Sequence, residues 1–244
     1  MLKSAVLGIV QGLTEFLPVS SSGHLVILQR IFGMNGQEVE TVVILHLGTV
    51  LALVIFFFKD ILLALRSLKL LKFILIVSVI TGVIAIAGKD FFESLFSSPI
   101  LVSAALVFTG AILLLSRRFM DQRKDSPGSG DSFILGIAQG VAIIPGISRS
   151  GITICALLFR KLNRDAAFRL SFLASIPAVL GAVLLETRKI SLVWNIDLSV
   201  GLVFSFLTGL IALRMLKTVI KNGKLYLFGY YCFFIAIITL LFIR

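Results

Sequence analysis

Charge is scarce in this chain of 244 residues: Asp, Glu, Lys and Arg make up 14% of it, against 58% hydrophobic residues and a mean hydropathy of +1.08. A soluble domain carries about 25% charged residues, so the scarcity excludes that class and leaves a polytopic membrane protein whose solvent is lipid. Cysteine is scarcer still. Cys155 and Cys232 stand alone in apolar segments, far from any metal-ligand spacing, and read as packing residues. A secretory leader is missing as well, because the first apolar run carries Gln11 and Glu15 and shows no cleavage site. Acidic residues are outnumbered, 12 against 23 Lys and Arg. In a soluble chain that excess would suggest nucleic acid. Here the basic residues lie in short loops between apolar runs, the pattern of topology signals and of contacts with anionic lipid head groups, with no nucleic-acid partner.

What the chain does have is a repeated polar motif. QGLTEFLPVSSSGH at 11–24 returns in altered form as QGVAIIPGISRSGI at 139–152, in a gapless shift of 128 positions. Between Leu7 and Gly23, eight of the seventeen aligned positions are identical, including the Gln-Gly pair and the Ser-x-Ser-Gly that follows it. The chain therefore reads as a duplicated unit: a first repeat at 1–117, a polar Gly/Pro/Ser-rich cytoplasmic linker at 118–131, and a second repeat at 132–244.

Each repeat begins with a segment too short to cross. Residues 2–16 form a helix of roughly 22 Å, short of the ~30 Å hydrocarbon core, and Pro18 stops it. Ser20 to Gly23 then supply the turn, and a short helix returns to near Gly33, which makes a re-entrant hairpin over 2–33. The second hairpin spans 132–160 and turns at Pro145-Gly146. Three transmembrane helices follow each hairpin, at 39–58, 70–87 and 99–116, then at 166–185, 198–213 and 225–243.

Three crossings per half force opposite orientations, so the expected fold is all-α with two inverted-topology repeats. Sixteen Lys and Arg, at 59–72, 117–124, 160–169 and 214–224, collect on one side. Lys3, Arg30, Lys89, Arg188, Lys189 and Arg244 lie on the other. The sixteen are cytoplasmic by the positive-inside rule, which places both termini outside. The hairpins then enter from opposite leaflets and their tips meet near the midplane, where irregular backbone must be buried in protein or line a polar cavity.

Gln11 and Glu15, four apart, share one helix face, and an ionisable group at membrane depth needs a partner or water. Ser20, Ser21, Ser22 and Gly23 offer hydroxyls and a helix N-terminus, a setting that favours anions. His24, beside that turn, is a candidate base or nucleophile. Arg149, flanked by Ser148, Ser150 and Gly151, has the planar donor fork that grips phosphate oxygens in pairs. His46 stands mid-helix without such company and reads as structural. Glu15, His24 and Arg149 are expected to converge on the head group of an anionic lipid.

The two motifs, Q-G-L-T-E-F-L-P-V-S-S-S-G-H and P-G-I-S-R-S-G, resemble the signatures of the undecaprenyl-diphosphate phosphatase family, the bacitracin-resistance membrane phosphatases, and the similarity extends over the whole chain. The resemblance implies hydrolysis of undecaprenyl diphosphate to the monophosphate and inorganic phosphate, which recycles the lipid carrier of cell-wall precursors at the bacterial cytoplasmic (inner) membrane. It carries the family's acidic position onto Glu15, its serines and histidine onto Ser20, Ser21 and His24, and its arginine onto Arg149. It also implies a divalent cation, Mg²⁺ or Ca²⁺, for which Glu15 is the candidate ligand; many members have Glu where this chain has Gln11, so one acidic ligand is missing. Partners are then a polyprenyl diphosphate and the surrounding lipids, and a homodimer is compatible with the pattern.

Two nucleophiles stay open: His24 oriented by Glu15, or Ser21 with His24 as base. A lipid-phosphate transporter or flippase would share the inverted-repeat architecture and is the principal rival. The phosphatidic-acid type of membrane phosphatase needs a histidine after its Ser-Arg, and SRSGITICALLFR contains none. A non-catalytic scaffold would leave the charged trio on the two hairpins without a purpose.

Overall fold

A computed structural model describes residues 1–31, 39–95, 98–119, 123–187 and 194–242. Among these the secondary structure is helical: α1 (Leu2–Phe16), α2 (Ser21–Ile31), α3 (Val39–Phe56), α4 (Phe58–Leu65), α5 (Leu68–Ala87), α6 (Lys89–Leu95), α7 (Pro99–Ser116), α8 (Ser129–Val141), α9 (Arg149–Phe159), α10 (Arg164–Thr187), α11 (Ile196–Lys221) and α12 (Leu227–Phe242). Four helices are long and apolar enough to cross a membrane: α5, α7 with the turn that continues it, α10 and α11. The bent pair α3–α4 makes a fifth if it is one span.

Several boundaries differ from the sequence reading. The span expected at 39–58 breaks at Phe57, where α4 leaves α3 at 69°. Asp60 on α4 pairs with Arg169 of α10 at 2.6 Å, which draws the last residues of the run away from the α3 axis. The stretch left between the spans expected at 70–87 and 99–116 contains the short helix α6. α11 runs on to Lys221, well past 213, because its last turns carry Lys217, Thr218 and Lys221, which suit a head-group layer. α12 starts at Leu227, two residues after the start expected for the last span, and the end expected at 243 lies outside the described residues. The expected hairpin end near Gly33 lies outside the described residues, as do Arg188, Lys189 and Arg244.

In lipid no hydrophobic effect drives one apolar helix onto another, so association depends on close packing of small residues. α1 lies almost backbone to backbone on α11. A Cβ on Gly8 would come within 2.5 Å of the Gly201 carbonyl oxygen, and one on Gly12 would overlap Thr208 Oγ1 and the Ser205 carbonyl. α3 uses the same support: a Cβ on Gly48 would lie 2.7 Å from the Leu202 carbonyl oxygen, and Ser205 Oγ donates to the Leu45 carbonyl at 2.7 Å. α11 thus holds α1 and α3 side by side. α8 packs on α5 in similar fashion, with Gly136 and Gly140 seated against Ile80 and Ile84, and α7 meets α12 where Gly110 faces Gly229.

Two breaks, between α1 and α2 and between α8 and α9, come together inside this frame. A Cβ on Gly151 would lie 3.2 Å from Pro18 Cβ, so the two turns touch. Each turn is also tied to a neighbour. Cys232 Sγ of α12 donates to the Pro18 carbonyl at 3.4 Å, and Thr109 of α7 both accepts from Ser148 N and donates to the Gly146 carbonyl, at 3.1 Å each. Gly146 has φ +95° and sits so near the Val102 carbonyl that no side chain fits.

Candidate functional site

α1 ends at Phe16, one residue past Glu15, and after the turn at 17–19 the chain takes an unusual step: Ser20 adopts φ +66°, a left-handed conformation that costs a non-glycine residue roughly 1–2 kcal/mol. That step starts α2 at Ser21 and directs the Ser21 hydroxyl back to Glu15, Oγ donating to Oε2 at 2.7 Å. Gln11, one helical turn earlier, donates from Nε2 to the same oxygen at 3.0 Å. From the second break, Arg149 Nη2 donates to Glu15 Oε1 at 2.9 Å, across 134 residues of sequence. The Glu15 side chain is 6% exposed, so the carboxylate is held by three donors rather than by bulk water.

Arg149 is itself well held. It opens α9, where Ser148 Oγ accepts from Gly151 N, and its carbonyl accepts from Thr153 Oγ1 at 2.6 Å. The Thr153 hydroxyl also meets Ser171 Oγ of α10 at 2.6 Å. The two turns present matching hydroxyl pairs, Ser20 with Ser22 at 3.2 Å and Ser148 with Ser150 at 3.3 Å. Two helix N-termini, of α2 and α9, therefore face one cavity of about 380 Å³ whose wall includes Glu15, Ser20, Ser21, Ser22, Ser148 and Arg149. Helix N-termini carry partial positive charge, and with the guanidinium they make the cavity suited to an anion. A much smaller space of about 20 Å³ lies behind the ion pair, lined by Ser150, Thr153, Ser171 and Ser175 among others.

The structure places both histidines differently from what their sequence settings suggest. His24 does not join Glu15 and Arg149. Its Nδ1–H donates to the Ser20 carbonyl at 2.8 Å, Nε2 meets the Tyr231 hydroxyl at 2.8 Å, and the two rings stack. Its side chain faces a separate apolar groove with Leu13, Leu17 and Phe228. The Nδ1 bond is the one a helical histidine makes to the carbonyl four residues back, as His46 also does to Val42, and it leaves Nε2 facing the Tyr231 hydroxyl of α12. His46, read as structural, instead lies in the cavity wall with Nε2 3.6 Å from Glu15 Oε2. No local pattern marked it, because α3 is apolar on every face. Thr81 and Gln139, also absent from the sequence reading of the site, line the inner end of the cavity and bond to each other at 3.2 Å.

The divalent cation implied by the family resemblance can be tested against these atoms. Gln11 Oε1 is buried and has no hydrogen-bond partner among the described residues, and it belongs to the side chain that bonds Glu15. One carboxylate beside one amide oxygen, completed by water and phosphate oxygens, is a donor set of the kind Mg²⁺ accepts. Glu15 and Gln11 fit such an ion, although no group of three His, Cys, Asp or Glu side chains suited to a metal occurs among the described residues.

Comparison with known proteins comes to the same point. The family model described as "Bacitracin resistance protein BacA" matches residues 4–238. A protein of Halothermothrix orenii named undecaprenyl-diphosphatase is 41% identical, over 98% of this chain and 96% of its own length. Proteins of the same name from Carboxydothermus hydrogenoformans (40% identical, 98% and 95%) and Thermotoga petrophila (41%, 97% and 98%) match as fully. With a family match over nearly the whole length and relatives at such identity, the chain belongs to the bacitracin resistance protein BacA family.

Proposed function

We propose that the protein is a membrane phosphatase of the bacterial cytoplasmic (inner) membrane that hydrolyses undecaprenyl diphosphate to undecaprenyl phosphate and inorganic phosphate, so recycling the cell-wall lipid carrier and giving bacitracin resistance. The observation that carries the proposal is the Glu15 carboxylate, which takes hydrogen bonds from Ser21 and Arg149 where two helix N-termini face one cavity. A serine hydroxyl donating to a carboxylate, beside a guanidinium, contains the nucleophile, the base and the anion clamp of a phosphoryl transfer. The names and full-length similarity of the relatives supply the substrate class.

In this reading Arg149 and the backbone N–H groups at the start of α2 bind the diphosphate, so that charge on the transferring phosphoryl group meets fixed donors. Ser21 Oγ attacks the terminal phosphorus while Glu15 accepts its proton. The bond from that phosphorus to the bridging oxygen breaks, undecaprenyl phosphate leaves, and water then hydrolyses the phosphoserine. His24 acts here as a brace for Ser20, since both its ring nitrogens are engaged. A divalent cation held by Glu15 and Gln11, when bound, supplies further positive charge at the phosphate oxygens. Ser20, Ser22, Gly23, Ser148, Ser150 and Gly151 shape the anion cradle.

The same proposal includes inverted repeats. Under the shift of 128 residues α1 corresponds to α8 and α11 to α5, and the packing of α1 on α11 has its counterpart in the packing of α8 on α5. That reciprocal pairing supports a duplicated unit. The basic residues at 59–72, 117–124, 160–169 and 214–224 then put their loops in the cytoplasm and both termini outside.

The test is release of phosphate from a C15 or C55 prenyl diphosphate by the purified protein in detergent, where no two compartments exist to be connected. Release that depends on Ser21 and Glu15, with ³²P trapped on Ser21 after a quench in neutral denaturant that spares both phosphoserine and phosphohistidine, is the expected result. A label on His24, or no release at all, would overturn this mechanism, and the second outcome would favour a transporter.

A further inference from the structure

The turn that carries Ser21 is held from outside its hairpin by one helix, α12. That helix is fixed on α7, since a Cβ on Gly229 would lie 2.7 Å from the Gly110 carbonyl oxygen and Ser103 Oγ donates to the Ala236 carbonyl at 3.1 Å. Between these two anchors, adjacent residues of α12 reach the turn. Cys232 Sγ donates to the Pro18 carbonyl, and the Tyr231 hydroxyl meets His24 Nε2 at 2.8 Å. His24 Nδ1 carries a hydrogen, because at 2.8 Å it faces the Ser20 carbonyl, which can only accept. That hydrogen is present in the neutral and the charged ring alike. A phenol hydroxyl can donate to Nε2 or accept from it, so the contacts from Tyr231 to Ser20 do not depend on the charge of His24. Ser20, the left-handed residue where they end, directly precedes Ser21, whose Oγ donates to Glu15 Oε2 at 2.7 Å.

We infer that Tyr231 is a positioning residue for the proposed attack by Ser21, acting through His24 and Ser20. The His24 ring bonds the carbonyl of a residue in a conformation that serine seldom adopts, and with that bond alone the ring can still turn about its side-chain torsions. A second bond, to a hydroxyl on a helix that packing has already fixed, removes this freedom. Ser20 then keeps its left-handed conformation, and Ser21 Oγ stays on Glu15 while the diphosphate is bound. Phenylalanine at 231 keeps the ring that stacks on His24 and loses only the hydroxyl. The inference rests on the phosphatase reading.

The test follows a single turnover of C15 diphosphate with the purified protein in excess. The rate at which C15 monophosphate appears then reports the attack by Ser21 and not the later hydrolysis of the phosphoserine. Wild type, Tyr231→Phe, His24→Leu and the double variant His24→Leu/Tyr231→Phe are compared at one pH. Tyr231→Phe is expected to slow the turnover roughly fivefold, the size of one neutral hydrogen bond, with the half-saturating protein concentration within about twofold of wild type. His24→Leu should be at least as slow, and adding Tyr231→Phe to it should cost almost nothing more, the signature of one residue acting through another. Wild-type speed in Tyr231→Phe would overturn the inference, as would losses that multiply in the double variant or a change confined to the half-saturating concentration. No turnover in His24→Leu would overturn it too, since His24 would then belong to the chemistry itself. No C15 monophosphate from the wild type would overturn the phosphatase reading, and this inference with it.

Discussion

Replacing Arg149 with lysine keeps the charge and removes the planar fork, and the structure sets the size of the effect. Arg149 Nη2 is committed to Glu15 Oε1 at 2.9 Å, while the Arg149 side chain as a whole is 30% exposed and lines the cavity. Arginine can therefore stay near Glu15 and grip a phosphate with its remaining N–H groups; an ammonium is a single point with a shorter reach. Lysine should lose about one charge-assisted hydrogen bond, worth about 2 kcal/mol. At 1.36 kcal/mol per tenfold that is roughly a 30-fold fall in kcat/KM. Alanine should cost more. It removes every phosphate contact and leaves the almost fully buried Glu15 without its closest cation, a loss of about 3–5 kcal/mol for a buried pair. Water entering the adjoining cavity offsets part of that second loss, so Arg149→Ala should fold but melt lower than Arg149→Lys. The assay is initial-rate phosphate release in detergent beside thermal unfolding of the same samples. Wild-type kcat/KM in Arg149→Lys would refute the idea that the guanidinium geometry matters.

Three further outcomes follow from the packing and the charges. Gly12→Ala should destabilise by about 3 kcal/mol, an overpacking cost that outweighs the roughly 1 kcal/mol gained in helix propensity, because the new Cβ meets backbone of α11. Gly82→Ala has open space within 4 Å and should be neutral or stabilising; equal melting of the two variants would remove the case for α11 as the support of α1. Asp131, at the start of α8, is fully buried; burial opposes its charge, but Lys124, the Gly128 N–H and Arg160 outweigh this and hold its carboxyl below the usual range. A lowered native value means that the stabilisation is complete above the ordinary carboxylate pKa of about 3.9 and is lost as pH falls through the lower native value. The melting difference between wild type and Asp131→Asn should therefore be constant near neutrality and shrink below about pH 4; a difference unchanged at pH 3 would contradict the ion cluster. Finally, Gln11→Glu places a second carboxylate beside Glu15, and two buried like charges need a cation. This variant should bind Mg²⁺ more tightly than wild type in calorimetry and lose more activity to chelator, and unchanged Mg²⁺ affinity would show that the two side chains do not face one ion.

The sequence alone determined that the chain is a polytopic membrane protein and where most of its helices begin, and it singled out Glu15, His24 and Arg149 as groups unusual at membrane depth. Each of these is written locally: apolar run length, proline and glycine breaks, and charge at a depth where charge is costly. It could not show which faces of those helices meet. Sequence spacing put His24 beside the serines, but its ring meets Tyr231 of α12, 207 residues away, a contact made only by the packed helices. His46 lies 31 residues from Glu15 in a helix apolar all round, and only the shared support of α11 beneath α1 and α3 brings the two side chains together. Lipid is the physical reason. It rewards every apolar face about equally, so the choice of face falls to small-residue contacts between segments distant in the chain, and these exist only once the helices have packed.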